Sequence, residues 1–175
     1  MSLIAELKRR NVFRVSEKTL MLKMPMLNHQ REQNLMEKRH MFWDVVEGRA
    51  PYGADAQILG AKIVEAVPDS GEITVEFDGK DFPTHALGNI SGGFIAAMLD
   101  LTASTAPATT YEANEFGPSL ELKVNFIKAA KAGKFRGIGR TVRRTKSVAF
   151  TEAELRNESG ELVATASSTL HLIRQ

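Results

Sequence analysis

Residues 85–106 read HALGNISGGFIAAMLDLTASTA, and this stretch decides the fold. Within Gly92–Ala103 the residues Phe94, Ile95, Ala96, Ala97, Met98, Leu99 and Leu101 leave a helix with almost no polar face. A helix that is apolar all round is expected to be buried on all sides. Its flanks are strand-like. Upstream, Leu59–Val67 and Ile73–Phe77 are joined through the turn residues Pro68, Asp69, Ser70 and Gly71. In the second run Ile73, Val75 and Phe77 alternate with Thr74 and Glu76, the pattern of a half-buried antiparallel strand. Downstream come four alternating runs, Ser119–Ala129, Lys134–Arg144, Ser147–Arg156 and Glu161–Ile173, the last entered through Asn157, Glu158, Ser159 and Gly160.

A further helix is read from Gln30 to about Gly48, with Leu35, Met36, Phe42, Trp43, Val45 and Val46 as its apolar side, stopped by Gly48 and Pro51. The order is therefore helix, two strands, a buried helix and four antiparallel strands. One sheet wrapped around one central helix satisfies it, because the helix needs cover and the sheet needs something against its inner face. That is the α+β hot-dog architecture, and alternation alone would also suit a small barrel. Residues 29–175 form the expected domain. Residues 1–28 form an N-terminal extension in which Leu3, Ile4 and Leu7 share one face of a short helix and Pro25 interrupts Met21–Leu27. It is either a mobile arm or an element that packs on a second subunit.

The 175 residues suffice for one domain with a real core, and 43% hydrophobic with 25% charged residues argues against disorder. Without cysteine there is no disulfide framework, thiolate ligand or thiolate nucleophile. No apolar run approaches about 18 residues, so no membrane span is expected. No signal-peptide pattern is read at the N-terminus, and the expected compartment is the cytoplasm. His29, His40 and His171 lack metal-ligand spacing, so no metal is expected. The net charge of +2 hides a basic block, Lys128 to Lys146, with eight positive residues and no Asp or Glu. Such a block is either a solvated strand face or an anion site of a scale that suits phosphate groups. Phe135 is its one aromatic, too few stacking platforms for nucleic acid.

Gly92 and Gly93 open the central helix, where the first N–H groups lack intrahelical partners and the helix dipole adds positive potential. Without side chains there, a substrate carbonyl can approach the backbone, and an oxyanion would be stabilised. The same glycines would also permit tight packing. Asp100, between Leu99 and Leu101, is expected to be buried, where an unpaired carboxylate costs several kcal/mol. It is a structural hydrogen-bond acceptor or, on the reading preferred here, a general base or nucleophile with a pKa raised by apolar surroundings. Eight residues at 1.5 Å rise put Asp100 about 12 Å along the helix from Gly92, beyond the reach of a shared carbonyl carbon. If both act, the site combines Gly92 of one subunit with Asp100 of another, as a two-fold dimer allows. His85 in the preceding loop could donate a hydrogen bond to a substrate oxygen or shuttle a proton. Ser91 and Ser119 are candidate hydroxyl donors, and Phe94 and Met98 are candidate pocket residues for an acyl group.

With these residues in hand, the chain resembles the PaaI-like branch of the hot-dog acyl-CoA thioesterases over roughly residues 40–173. The segment HALGNISGGFIAAMLDLTASTA is similar to that family's Asn-x-x-Gly-x-x-(His/Gln)-Gly-Gly run leading to a helical Asp, and LELKVNFIKAAKAGKFRGIGRTVRRT and GELVATASSTLHL support it. The resemblance implies Asp100 as the catalytic carboxylate, the Gly92 N–H as the group polarising the thioester carbonyl, and Ser119 as a hydroxyl positioning the attacking water. It places Arg143, Arg144 and Lys146 in a nucleotide-binding strand and loop. It implies an acyl-CoA substrate with no separate cofactor, and a homodimer that assembles further as a dimer of dimers. The chain departs from the pattern at His85, where the family usually has Asn, and at Ser91, where it has His or Gln. Two other readings stand beside hydrolysis: a 3-hydroxyacyl-thioester dehydratase using His85 and Asp100, and a non-catalytic acyl-CoA-binding protein.

Overall fold

A computed structural model describes residues 39–175 together with the two-residue strand β1 (Phe13–Arg14). Two short helices, α1 (Phe42–Val46) and α2 (Ala54–Ile58), lead into β2 (Ala61–Val67) and β3 (Glu72–Asp78). The helix α3 (Gly92–Thr105) runs into a 3-10 turn at Ala106–Thr110. Then come β4 (Glu115–Phe116), β5 (Ser119–Phe126), β6 (Lys134–Arg144), β7 (Val148–Asn157), β8 (Leu162–His171) and β9 (Ile173–Arg174). The main sheet has the order β1-β2-β3-β6-β7-β8-β5, antiparallel throughout, and β4 pairs with β9 in a small ribbon.

The alternation read in the sequence sets which side chains face the helix. Ile73, Val75 and Phe77 of β3, Phe135 of β6, Leu155 of β7 and Ala164 and Ala166 of β8 are buried with Ile95, Met98, Leu99 and Ala103 of α3 in one core. Beneath the helix, β6 carries no side chain at two inward positions. A Cβ on Gly139 would lie 2.6 Å from the Thr102 carbonyl oxygen, and one on Gly137 would lie 2.3 Å from Thr102 Oγ1. The helix backbone therefore lies directly on the strand, and any larger residue would push the two apart. This is the hot-dog fold.

The structure corrects several expectations. The helix read from Gln30 to Gly48 is not continuous over its described part. Residues 39–41 are not helical, and α1 starts at Phe42, whose N–H donates to His40 Nδ1 at 3.0 Å. It does end as expected, at Gly48, whose φ of +74° suits glycine. Residues 15–38 lie outside the described part, as does the short helix expected near Leu3. Beyond β1, which pairs with β2 through Phe13 opposite Ala66 and Arg14 opposite Glu65, nothing in the 1–28 extension is described. The strand read from Leu59 begins at Ala61, because Leu59 caps α2 and Gly60 turns the chain with φ +58°. The last run divides at Leu172 into β8 and β9.

The largest correction concerns α3. Among the described residues it is covered by the sheet on one side, while Phe94, Ala97, Asp100 and Leu101 remain half-buried. The half-buried flank adjoins β5, which is an edge strand of the sheet among the described residues. There Leu120 is 64% exposed and Phe126 58% exposed. A free edge bearing large apolar residues invites pairing with another chain.

Candidate active site

The loop ahead of α3 is a tight turn held by its own backbone. Gly88 N–H donates to the His85 carbonyl at 2.7 Å, and His85 N–H donates to the Asn89 carbonyl at 2.9 Å. Thr84 and Ile90 form a bridge, and Ile90 N–H donates to the Ala130 carbonyl, tying the loop to the segment after β5. Gly88 sits at φ +73°, the left-handed conformation that closes such a turn. Within it, the Leu87 N–H donates to His85 Nδ1 at 3.1 Å. An imidazole that accepts at Nδ1 carries its proton on Nε2. The exposed His85 side chain therefore presents an N–H donor outward.

Ser91 is the N-cap of α3, yet its side chain makes no capping hydrogen bond. Among the described residues no hydrogen bond uses the N–H of Gly92 or Gly93, so the positive end of a fourteen-residue helix stays open. That end borders a cavity of about 300 Å³ lined by His85, Asn89, Ile90, Gly92, Ile95, Phe126 and the segment from Ile127 to Ala130. The Phe126 ring lies over Gly92, 3.3 Å from where a Cβ would stand. Phe94 points elsewhere and stacks on Phe82 with 4.8 Å between ring centres.

Two turns further along the same helix, Asp100 is half-buried rather than buried. Ser119 Oγ, at the start of β5, donates to its Oδ1 at 2.9 Å. Asp100 does not line the cavity at Gly92. The structure thus brings Asp100 and Ser119 together, and His85 and Gly92 together, as two separate halves in one chain. Strand β5 links them, with Ser119 at one end against Asp100 and Phe126 at the other against Gly92.

The basic block divides as well. Lys128 pairs with Glu161, Arg136 with Glu76, Arg140 with Glu152 and Arg144 with Glu115. Lys128, with help from Asn157, holds the Glu161 carboxyl down at about 2. These pairs make much of the block a solvated, cross-strand-paired face. Among the described residues Lys131, Lys134, Arg143 and Lys146 make no ion pair.

Arg144 is committed to a cluster that the sequence did not announce. Glu115 is wholly buried, and the guanidinium of Arg144 pairs with it while donating to the Thr110 carbonyl at 2.9 Å. Arg174 approaches the same carboxylate at 3.7 Å. His40 Nε2 donates to the Glu115 carbonyl at 2.7 Å, and the His40 ring packs edge-on against Tyr111. Burial lowers the His40 pKa against a smaller opposing effect of its Glu115 contacts. Burial first and the Glu115 charge second push the Tyr111 hydroxyl up to about 12. This cluster joins the chain ahead of α1, the 3-10 turn, β4, β6 and β9. The expected phosphate role of Arg144 does not fit a side chain so engaged.

Asn89 and Phe126 were missed as cavity residues. The loop hydrogen bonds and the edge position of β5 place them there; Asn89 leaves no periodic trace, and the alternation that includes Phe126 does not say that it faces Gly92.

An antiparallel sheet on a central helix that opens on glycine defines a hot-dog protein. Residues 87–164 match the family model of the thioesterase superfamily. The chain is 30% identical to human acyl-coenzyme A thioesterase 13 over 119 residues, covering 66% of this chain and 83% of that protein. A phenylacetic acid degradation-related protein from Ralstonia eutropha JMP134 is similar in structure with a TM-score of 0.71 at 32% identity, covering 75% of this chain and 99% of that one. A mutant of the phenylacetic acid degradation protein PaaI from Thermus thermophilus shares the fold, with a TM-score of 0.59 at 23% identity over 66% of this chain and 96% of that one. The chain belongs to the thioesterase superfamily. Among its described residues no helix is long and apolar enough to cross a membrane.

Proposed function

We propose that this protein hydrolyses an acyl-coenzyme A to the free acid and coenzyme A, using sites completed across a two-fold dimer. The observation that carries the reading is the placement of the two half-sites at opposite ends of β5. Antiparallel pairing of two β5 edges about a two-fold axis near Leu122 and Lys123 sets the Ser119 end of one strand beside the Phe126 end of the other. Asp100 of one subunit then approaches Gly92 of the second, and two equivalent sites result. The exposed Leu120 and Phe126 and the half-bare flank of α3 support such pairing, because all are covered by it.

In the proposed reaction the thioester carbonyl oxygen accepts hydrogen bonds from the Gly92 N–H and His85 Nε2–H. Asp100 removes a proton from water as the water oxygen bonds to the carbonyl carbon. Ser119 Oγ, donating to Oδ1, keeps the carboxylate oriented and leaves Oδ2 to take that proton. The tetrahedral oxyanion rests on the glycine N–H and the imidazole N–H. Its collapse breaks the carbon–sulfur bond, and the leaving thiolate receives the proton from Asp100. Arg143 and Lys146 are the cations of their stretch left to meet the phosphates of coenzyme A. A tetramer formed as a dimer of dimers belongs to the same proposal.

The tautomer of His85 favours hydrolysis over dehydration. A dehydratase requires the histidine to accept a proton, whereas Nδ1 already accepts from Leu87 and Nε2 carries a hydrogen. The test is release of free thiol from an acyl-CoA panel running from acetyl to long-chain, phenylacetyl and benzoyl esters. Turnover that Asp100→Asn abolishes, in a protein that still folds, is the expected result. Undiminished turnover in that variant, or enoyl product from a 3-hydroxyacyl-CoA, would overturn the proposal.

A further inference from the structure

We infer that Asn89 is a third hydrogen-bond donor to the thioester carbonyl oxygen, acting beside the Gly92 N–H and His85. The inference rests on the thioesterase reading and adds a residue that reading does not use. Three observations meet at this side chain. Asn89 lines the cavity that His85 and Gly92 also line. Its backbone is fixed, because its carbonyl accepts the His85 N–H at 2.9 Å while the neighbouring pair Thr84 and Ile90 forms a bridge. His85, Asn89 and Ile90 of this loop all line the cavity, beside the open start of α3 at Gly92.

The third observation is that the Asn89 amide is idle. Among the described residues no hydrogen bond uses its Nδ2 or Oδ1, although the residue is half-buried. A half-buried amide with two N–H groups, beside an open helix N-terminus and an outward imidazole N–H, adds to a cluster made of donors. An oxygen that gains negative charge is the ligand such a cluster suits, and a tetrahedral oxyanion offers lone pairs for three donors. The Asn89 Nδ2–H bond to that oxygen strengthens as the charge develops, so its contribution appears in turnover more than in substrate binding. No bond is made or broken at Asn89.

Two variants and one probe test this. Asn89→Ala is expected to lower kcat about 10- to 100-fold with KM within about threefold, and to leave the thermal unfolding midpoint unchanged. Asn89→Asp is expected to be worse than Asn89→Ala at pH 8. Its activity relative to wild type should then climb as the pH falls toward 5 and the new carboxyl gains a proton to donate. A packing role would produce no such pH-dependent ratio. The probe is an acyl-CoA ketone in which methylene replaces the thioester sulfur, titrated calorimetrically into the full chain. Asn89→Ala should weaken its binding several-fold, and Asp100→Asn should not.

If wild type hydrolyses acyl-CoA but Asn89→Ala keeps kcat within twofold, or the Asn89→Asp ratio is flat with pH, the role of Asn89 is wrong and hydrolysis stands. If wild type binds the ketone without hydrolysing any ester, hydrolysis fails. Weaker ketone binding by Asn89→Ala then upholds the donor role, and unchanged binding overturns it. If wild type neither binds the ketone nor hydrolyses an ester, both fall.

Discussion

Ser119 Oγ donates a hydrogen bond to Asp100 Oδ1 at 2.9 Å, tying the free edge strand of the sheet to the middle of the central helix. The two residues lie 19 positions apart in the chain, and the 3-10 turn and the β4 ribbon intervene. The hydroxyl occupies one carboxylate oxygen and fixes the plane of the group. Among the described residues no hydrogen bond uses the other oxygen, and Asp100 is half-buried.

Ser119→Ala should therefore lower kcat about tenfold while the thermal midpoint stays within about 2 °C. The side chain is exposed, so its loss removes orientation and little packing, and exposed substitutions commonly cost under about 0.5 kcal/mol. Free-thiol release and a melting curve on the same sample check both halves. A Ser119→Thr variant should recover part of the rate.

Leu120→Lys should separate the subunits. A lysine on an edge strand opposes edge-to-edge pairing, and Leu120 at 64% exposure supports little of the fold within its own chain. Sedimentation should shift toward monomer, and thiol release should fall in parallel if, as proposed, each site draws on both chains. A monomer with full activity would show that one chain carries a whole site.

Arg143 and Arg144 should answer differently to alanine. Arg144→Ala strands the buried Glu115, with Arg174 only partly compensating, and breaking such a pair costs about 3 kcal/mol. Arg143→Ala, at an exposed position, should leave stability alone and raise KM for the coenzyme A ester severalfold, more so at low ionic strength. Urea unfolding and steady-state kinetics on each variant distinguish the two roles.

Stability should decline as acid protonates His40. Burial holds its folded-state pKa below the ordinary value of 6.5, so the unfolded chain takes up the proton first. The stability associated with neutral His40 is then fully present above about pH 6.5 and is lost as pH falls through the folded-state pKa. Protonation would also place a hydrogen on Nδ1, against the Phe42 N–H it now accepts. Urea unfolding from pH 8 to pH 5 should show this loss in wild type and a weaker dependence in His40→Gln.

Much of the fold was legible in the residues. The alternation of Ile73, Val75 and Phe77, the bounds Lys134–Arg144 and the glycine opening at Gly92 all reappear as read. Each depends on local periodicity or on a residue with one backbone role. What periodicity could not show was tertiary in origin. Gly137 and Gly139 look like weak strand residues until Thr102 is seen against them. Arg144 looks like any member of a basic run until Glu115 is found buried beside it.

The site divides in the same way. Glycines at a helix start and a carboxylate among leucines mark candidate chemistry in one dimension, because helix geometry spaces them about 12 Å apart. The residues by themselves thus determined the central helix, the main strands with their inward faces, and the separation of Gly92 from Asp100. Only the tertiary structure decided that β5 is an edge strand among the described residues, that Ser119 meets Asp100 at one end of it, and that Phe126 covers Gly92 at the other. Strand order and side-chain meeting points depend on which distant segments pack together, and a pattern of local preferences carries no record of that choice.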